Sequence, residues 1–328
     1  MANTNERKIT SIGGSALIEG IMMRGPKRTT IAVRTGEEEI YTQDISVNTL
    51  AQKSKFFRLP LVRGVAGIVD SMRLSYKSLA IAADKALEAG EIEEEEPSKF
   101  EKWLTDKLGD NLMKVVMIFA TILGVLLAVG LFFFLPSFLY DLLAWGFPSI
   151  EENVVFKSIF EGVLKIALFL SYVVLCSRMQ EMKRVFMYHG AEHKTIFCYE
   201  AGEELTVENV KKQSRFHPRC GTSFLVITLL IGILLGLFIP AEPFGIAFLR
   251  PVFKLLLLPL MVGVGYEAIK FCGKFDNKFT RIIATPGLWA QRITTKEPDE
   301  KMIEVAITAM TAVIPDDGSD IISNCCDK

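Results

Sequence analysis

Histidine is scarce in this chain, with three residues in 328. Cysteine occurs six times, at 176, 198, 220, 272, 325 and 326, without the spacing of a disulfide framework. A chain of this length needs no covalent staples, so the simpler reading is a reduced compartment. Net charge is also missing. The formal value is −1, which removes the global case for nucleic-acid binding. The first residues, MANTNERKIT, are polar and charged. No signal peptide is expected there, and the N-terminus is expected to stay in the cytosol.

What is present is apolar. Half of the residues are hydrophobic, yet 23% are charged. That mixture suits a chain that is part membrane-embedded and part soluble. Residues 115–140 and Cys220–Ala241 carry no charge, and each is long enough for the ~20 apolar residues of a membrane helix. The first run is expected to end near Pro136. Val154–Ser177 carries Lys157, Glu161 and Lys165, and 247–271 carries Arg250, Lys254, Glu267 and Lys270. Each has an uncharged core of only 12 residues, 166–177 and 255–266. Each also follows a clean run after a short connection. The reading is therefore a mainly α, polytopic helical membrane protein with four spans in two hairpins and a small α+β cytosolic region. Basic residues flank 178–219 and follow the last span, so the positive-inside rule places both termini and that segment in the cytosol of a multi-pass inner-membrane protein.

Six segments follow. Residues 1–90 form an α+β region, soluble or on the membrane surface. Residues 91–110 hold the acidic run EIEEEEPSK, read as a solvated linker, and a pre-membrane helix. Residues 111–177 form the first hairpin, 178–219 a His/Cys loop, 220–271 the second hairpin and 272–328 a tail. In the first segment, TTIAVRTGEEEIYTQDIS reads as two strands around Gly36. A long helix starts at Pro60, since proline suits a first turn. In the tail, Asp299–Met310 reads as an amphipathic helix with Met302, Ile303, Ala306 and Met310 on one face, and 315–328 as disordered.

The three histidines lie together, in YHGAEHKTIFCYE and RFHPRCGTS. His189 and His193 are four apart, which on a helix places both imidazoles on one face. That is how a helix offers two nitrogens to one tetrahedral metal. Met182, Phe186, Ile196 and Phe197 continue the stripe. Glu192 completes H-x-x-E-H, in which the carboxylate acts as general base. His217 and Cys220 are the natural further ligands, with Cys198 and Glu200 behind them. Thr206 is expected to cap a short helix within this segment. The cofactor expected is a divalent metal, zinc first. Near the N-terminus, GGSALIEGIMMRGP holds paired glycines that let backbone approach an anion, although tight turns also explain them. Arg24 or Arg63 could bind a phosphate or lipid headgroup. On the second span, Glu161 and Lys165 could pair inside the bilayer, with Lys157 snorkelling outward.

YHGAEHKTIFCYEAGEELTVENV, SRFHPRCGTSF, GGSALIEGIMMRGP, PLVRGVAGIVDSM and PGLWAQRITTKEPDEKMIEVAI together resemble the YqhQ-like family. This is a family of uncharacterised bacterial membrane proteins with a domain of unknown function. The resemblance covers roughly residues 10–312 in order. Ser15 departs from the glutamine common there, which leaves the histidines untouched. Members are labelled metal-dependent enzymes, which implies roles for His189, Glu192, His193, His217 and Cys220 but no reaction.

Three functions remain open. The first is a metal-binding membrane protein acting as a hydrolase. The second is a scaffold or regulator with a structural metal or none, whose acidic linker and tail helix meet membrane-protein partners or a second copy. The third is a transporter or channel along the charged second span. The bilayer is the common partner, and no nucleic acid is expected.

Overall fold

The structure, a computed structural model, describes residues 6–46, 48–90, 111–150, 153–246, 248–274 and 278–326. The strands are β1 (Glu6–Thr10), β2 (Gly13–Leu17), β3 (Gly20–Arg24), β4 (Thr29–Arg34), β5 (Ile40–Asp44) and β6 (Ile321–Cys326). The helices that matter are α1 (Val62–Glu88), α2 (Asn111–Val129), α3 (Leu135–Gly146), α4 (Val154–Cys176), α5 (Gln180–Glu200), α6 (Val207–Lys212), α7 (Gly221–Gly236), α8 (Leu249–Leu256), α9 (Leu258–Lys274), α10 (Lys278–Thr294) and α11 (Glu300–Val313). The acidic run and the pre-membrane helix expected at 91–110 lie outside the described residues. The chain forms two compact units. One comprises Met1–Ile92, Leu170–Thr228 and Pro259–Lys328; the other comprises Glu93–Phe169 and Leu229–Leu258.

The first unit is built on an antiparallel sheet in the order β2-β3-β4-β5. The expected strand pair around Gly36 is β4 and β5. The glycine-rich GGSALIEGIMMR is a further hairpin, β2–β3, turning at Glu19 with φ of 48°. Side-chain alternation sorts β3 and β4 onto two cores. Ile21, Met23 and Ala32 pack with Tyr188, Ala191 and Ile196 of α5 and Met302, Ile303 and Met310 of α11. Met22, Ile31 and Val33 pack with Leu74 and Ala82 of α1. Helices thus cover both faces, and β3 and β4 read as continuous apolar runs.

Two expectations about the tail are corrected here. The amphipathic helix expected from Asp299 is α11, and the Asp299 side chain caps it, accepting from the Met302 N–H at 2.8 Å. The helix is not an exposed partner site, however, because Met302, Ile303, Val305, Ala306, Ala309, Met310 and Val313 are buried in the core. Nor is the chain irregular to its end, since β6 pairs antiparallel with β1.

Two helical stretches, Ile118–Gly146 and Val154–Cys176, are long and apolar enough to cross a membrane. A third span exists if α8 and α9, bent by 46°, count as one. The apolar run from Cys220 yields only the 16-residue α7. The first stretch does not end at Pro136. A π-helical turn, Gly130–Phe134, precedes the proline, and α3 continues to Gly146. A wider turn there accommodates the ring and the missing N–H without breaking the helix.

The charges of the second unit pair differently from the sequence reading. Glu161 is bound by Lys254, with Arg250 Nε 3.3 Å from its Oε1. It is not paired with Lys165, whose ammonium lies over the Phe133 ring at 5.0 Å. The partners come from α8, a contact that no i,i+4 rule foresees. Lys157 does not snorkel outward. It is buried and bonds Asp141 at 2.5 Å. Arg250, fully buried, donates to the carbonyls of Gly236, Ile239 and Pro240 and to the Ser158 hydroxyl. It thereby satisfies carbonyls at the C-terminal end of α7 that have no helical partner.

Candidate metal centre

The site helix is α5, and HGAEH is helical throughout, including the glycine at which the sequence left this open. Gly190 has a packing reason. A Cβ there would collide with the backbone carbonyl of Lys296, and the Lys296 N–H donates to the Phe186 carbonyl at 2.8 Å. Chain 294–298 therefore lies directly against α5. Thr206 caps α6 as expected, accepting from the Asn209 N–H.

His189, His193 and Cys220 each offer one ligand atom, and these atoms lie within 4.8 Å of one another. Both rings are oriented through Nδ1. That of His189 faces the Thr294 carbonyl at 2.9 Å, and that of His193 faces the Arg215 carbonyl at 2.6 Å. A carbonyl only accepts, so each Nδ1 carries a proton, and Nε2 is the ring atom left to face the cluster. His189 Nε2 lies 3.2 Å from Cys220 Sγ. Burial raises the thiol pKa, but His189 and His193 outweigh it, leaving the Cys220 pKa well below the ordinary value. The reciprocal effect lifts that of His189, against its own burial.

His217 lies beside this group, its ring centroid 5.5 Å from that of His193, but it is not one of the three converging ligands. Its Nε2 is 3.9 Å from Glu200 Oε2, and its ring lies 4.7 Å from that of Phe197. Burial, outweighing Glu200, pushes its pKa down to about 4, so it stays neutral near pH 7. Glu200 also accepts from the Thr10 N–H and from Arg219. Cys198, packed in the core, is pushed up to about 11 by burial and by Glu203.

Glu192 is buried beside the site. The Gly14 N–H bonds its carboxylate, and Oε2 has no hydrogen-bond partner among the described residues. Burial raises its pKa, and the two histidines only partly offset that. A side chain on Gly14 would meet the Glu192 carboxyl carbon at 3.0 Å. The paired glycines do bring backbone to an anion, and that anion is the chain's own carboxylate. Arg63 is occupied by Glu267, with contacts of 2.7 and 2.5 Å. Arg24 is exposed, in a surface cleft with Lys27 and Arg28.

The sequence reading missed Gln291. Fully buried on α10, it accepts from the His217 N–H and donates to the His217 carbonyl, both at 2.7 Å, and to Ser223 Oγ at 3.0 Å. One amide thus clamps the loop that presents Cys220. Its only signal was a glutamine after the apolar GLWA, beside Arg292.

Fold and site together define a mainly helical protein with a small sheet, two or three helices able to cross a membrane by length and composition, and a part-buried His/Cys cluster. The chain belongs to the family described as protein of unknown function (DUF1385), whose model matches residues 59–316. It is 31% identical over 304 residues to the uncharacterized protein YqhQ of Bacillus subtilis (strain 168), covering 92% of each chain. No solved structure matches it.

Proposed function

We propose that the chain is a membrane protein holding a divalent metal, zinc first, through His189 Nε2, His193 Nε2 and Cys220 Sγ, and that it acts as a metal-dependent hydrolase. The observation that carries this reading is the convergence of three electron-pair donors whose imidazoles are each fixed through Nδ1, the outer support of metal-bound histidines. The separations fit. Nitrogen and sulfur bound at about 2.1 and 2.3 Å in a tetrahedron lie roughly 3.6 Å apart. Three protein ligands rather than four are the pattern of catalytic zinc. A bound zinc supplies Lewis acidity and a nucleophile at neutral pH. Glu192, with a free oxygen and a raised pKa, is placed to hold and move a proton.

The membrane reading stays at four spans with cytosolic termini. In it α7 crosses as a helix of about 24 Å, shorter than the ~30 Å hydrocarbon core and requiring local thinning.

The test is metal content by mass spectrometry on detergent-purified protein. Wild type and His217→Ala are expected to hold about one equivalent. His189→Ala/His193→Ala is expected to hold none. Equal metal in wild type and the double variant sinks the site. Glu192→Gln is expected to keep the metal; if it also supports full function in cells, the site is structural and the scaffold reading replaces the hydrolase.

A further inference from the structure

We infer that α1 and the segment before it form a docking surface for an anionic lipid bilayer interface. The inference stands independently of the metal. Helix α1 has two apolar stripes. Ala66, Leu74, Ala82 and Ala86 face inward with Asp70 and Ser78. On the opposite side, Val69, Met72, Tyr76 and Leu79 follow at steps of three and four residues, and all are exposed, Met72 at 67% and Tyr76 at 70%. Phe56 and Leu59, just ahead of the helix, are exposed as well. A helix packed on one face and apolar on the other has a second medium to meet.

Charge and position identify that medium. Lys53, Arg73 and Lys77 line one cleft with Ser46 and Asn48, and no carboxylate lines it. Ser46 also borders the neighbouring cleft of Arg24, Lys27 and Arg28, which the buried Asp70 lines as well and where Lys27 pairs with Asp317. Lys55 and Arg58 are exposed beside Phe56. Apolar side chains rimmed by cations are the composition of an interfacial helix on anionic lipid. The start of α1 also packs on α9, half of the bent pair long enough to cross a membrane. A side chain on Gly64 would meet Tyr266 Cβ at 2.7 Å, one on Gly263 would meet the Leu61 carbonyl at 2.7 Å, and Arg63 pairs with Glu267. The apolar surface therefore begins beside a helix suited to the bilayer. A second copy fits less well, because a self-complementary contact brings like charges together.

The test uses the full chain in nanodiscs of phosphatidylcholine, with and without phosphatidylglycerol. A photoreactive benzoylphenylalanine replaces Tyr76. A second probe at Asp84, exposed on the polar side of α1, and a third at Leu127, in the first apolar stretch, serve as controls. Lipid adducts, read by intact mass, are expected at 76 and 127 and not at 84. Phosphatidylglycerol is expected to raise the yield at 76. Lys53→Glu/Arg73→Glu/Lys77→Glu is expected to remove that gain, each charge near an anionic surface counting on the order of fivefold. A covalent dimer through position 76 assigns the surface to a second copy and overturns the inference. Adducts at 127 but none at 76, or equal yields at 76 and 84, also overturn it.

Discussion

Glu161 and Glu192 are both buried carboxylates on long helices, 2% and 5% exposed, yet their surroundings differ in kind. Glu161 is met by the ammonium of Lys254 and the guanidinium of Arg250. Glu192 receives one backbone N–H and faces two imidazoles and a thiol, with one oxygen left over. The first carboxylate faces two cations across helices, although its Oε1, like Oε2 of Glu192, has no hydrogen-bond partner among the described residues. The second sits among the imidazole and sulfur atoms of the candidate metal centre. Buried charge alone therefore says little about chemistry; the identity of what surrounds it says more.

Glu161→Gln is the strongest challenge to that contrast. It strands Arg250 and Lys254 as buried like charges and is expected to cost about 3–5 kcal/mol, read by thermal unfolding in detergent. The matching Glu192→Gln is expected to cost under about 1 kcal/mol, because a neutral amide suits a site that disfavours the carboxylate. Equal losses in the two variants would erase the distinction. Gly190→Ala is next. The new methyl meets the Lys296 carbonyl, and a loss of about 1–3 kcal/mol is expected, with exchange protection falling in 186–198 and 294–298 rather than in α2.

Gln291→Ala leaves the His217 amide groups and Ser223 without their partner, for about 1–3 kcal/mol. Removing this outer support of the Cys220 loop is also expected to weaken metal affinity about 10–100-fold, measured by chelator competition. Unchanged affinity would mean that the loop needs no clamp. The smallest effect separates two cysteines. With a pKa near 11, Cys198 is roughly a thousandth ionised at pH 8 and is expected to resist iodoacetamide there, gaining reactivity only toward pH 11. Cys220, whose pKa the two histidines hold well below the ordinary value, is expected to react at pH 7 in metal-stripped protein and to be shielded once metal is restored. Equal alkylation of both at pH 7 would contradict these assignments.

Much of this was legible from local pattern. Spacing of four put His189 and His193 on one helical face, Asp299 and Thr206 announced their helices, and alternation around Gly36 announced β4 and β5. Local pattern failed where a partner lay far along the chain. Lys165 is the i+4 neighbour of Glu161, yet Lys254 from α8 takes the carboxylate. Arg63 looked free for an anion, yet Glu267 on α9 occupies it. The α11 stripe was recognised as apolar, but nothing in 299–310 says that α5, β3 and β4 cover it.

His217 and Cys220, two candidate ligands three residues apart, are held differently, and a glutamine some seventy residues onward is part of the reason. Gln291 holds the His217 backbone, His217 turns to Glu200 and Phe197, and Cys220 at the start of α7 reaches His189. The sequence by itself determined which chemistry the chain can offer and where helices and apolar runs lie, because these depend on side-chain identity and periods of two and 3.6. Only the tertiary structure decided which donors share one small volume, because that depends on packing between segments whose separation in sequence carries no period.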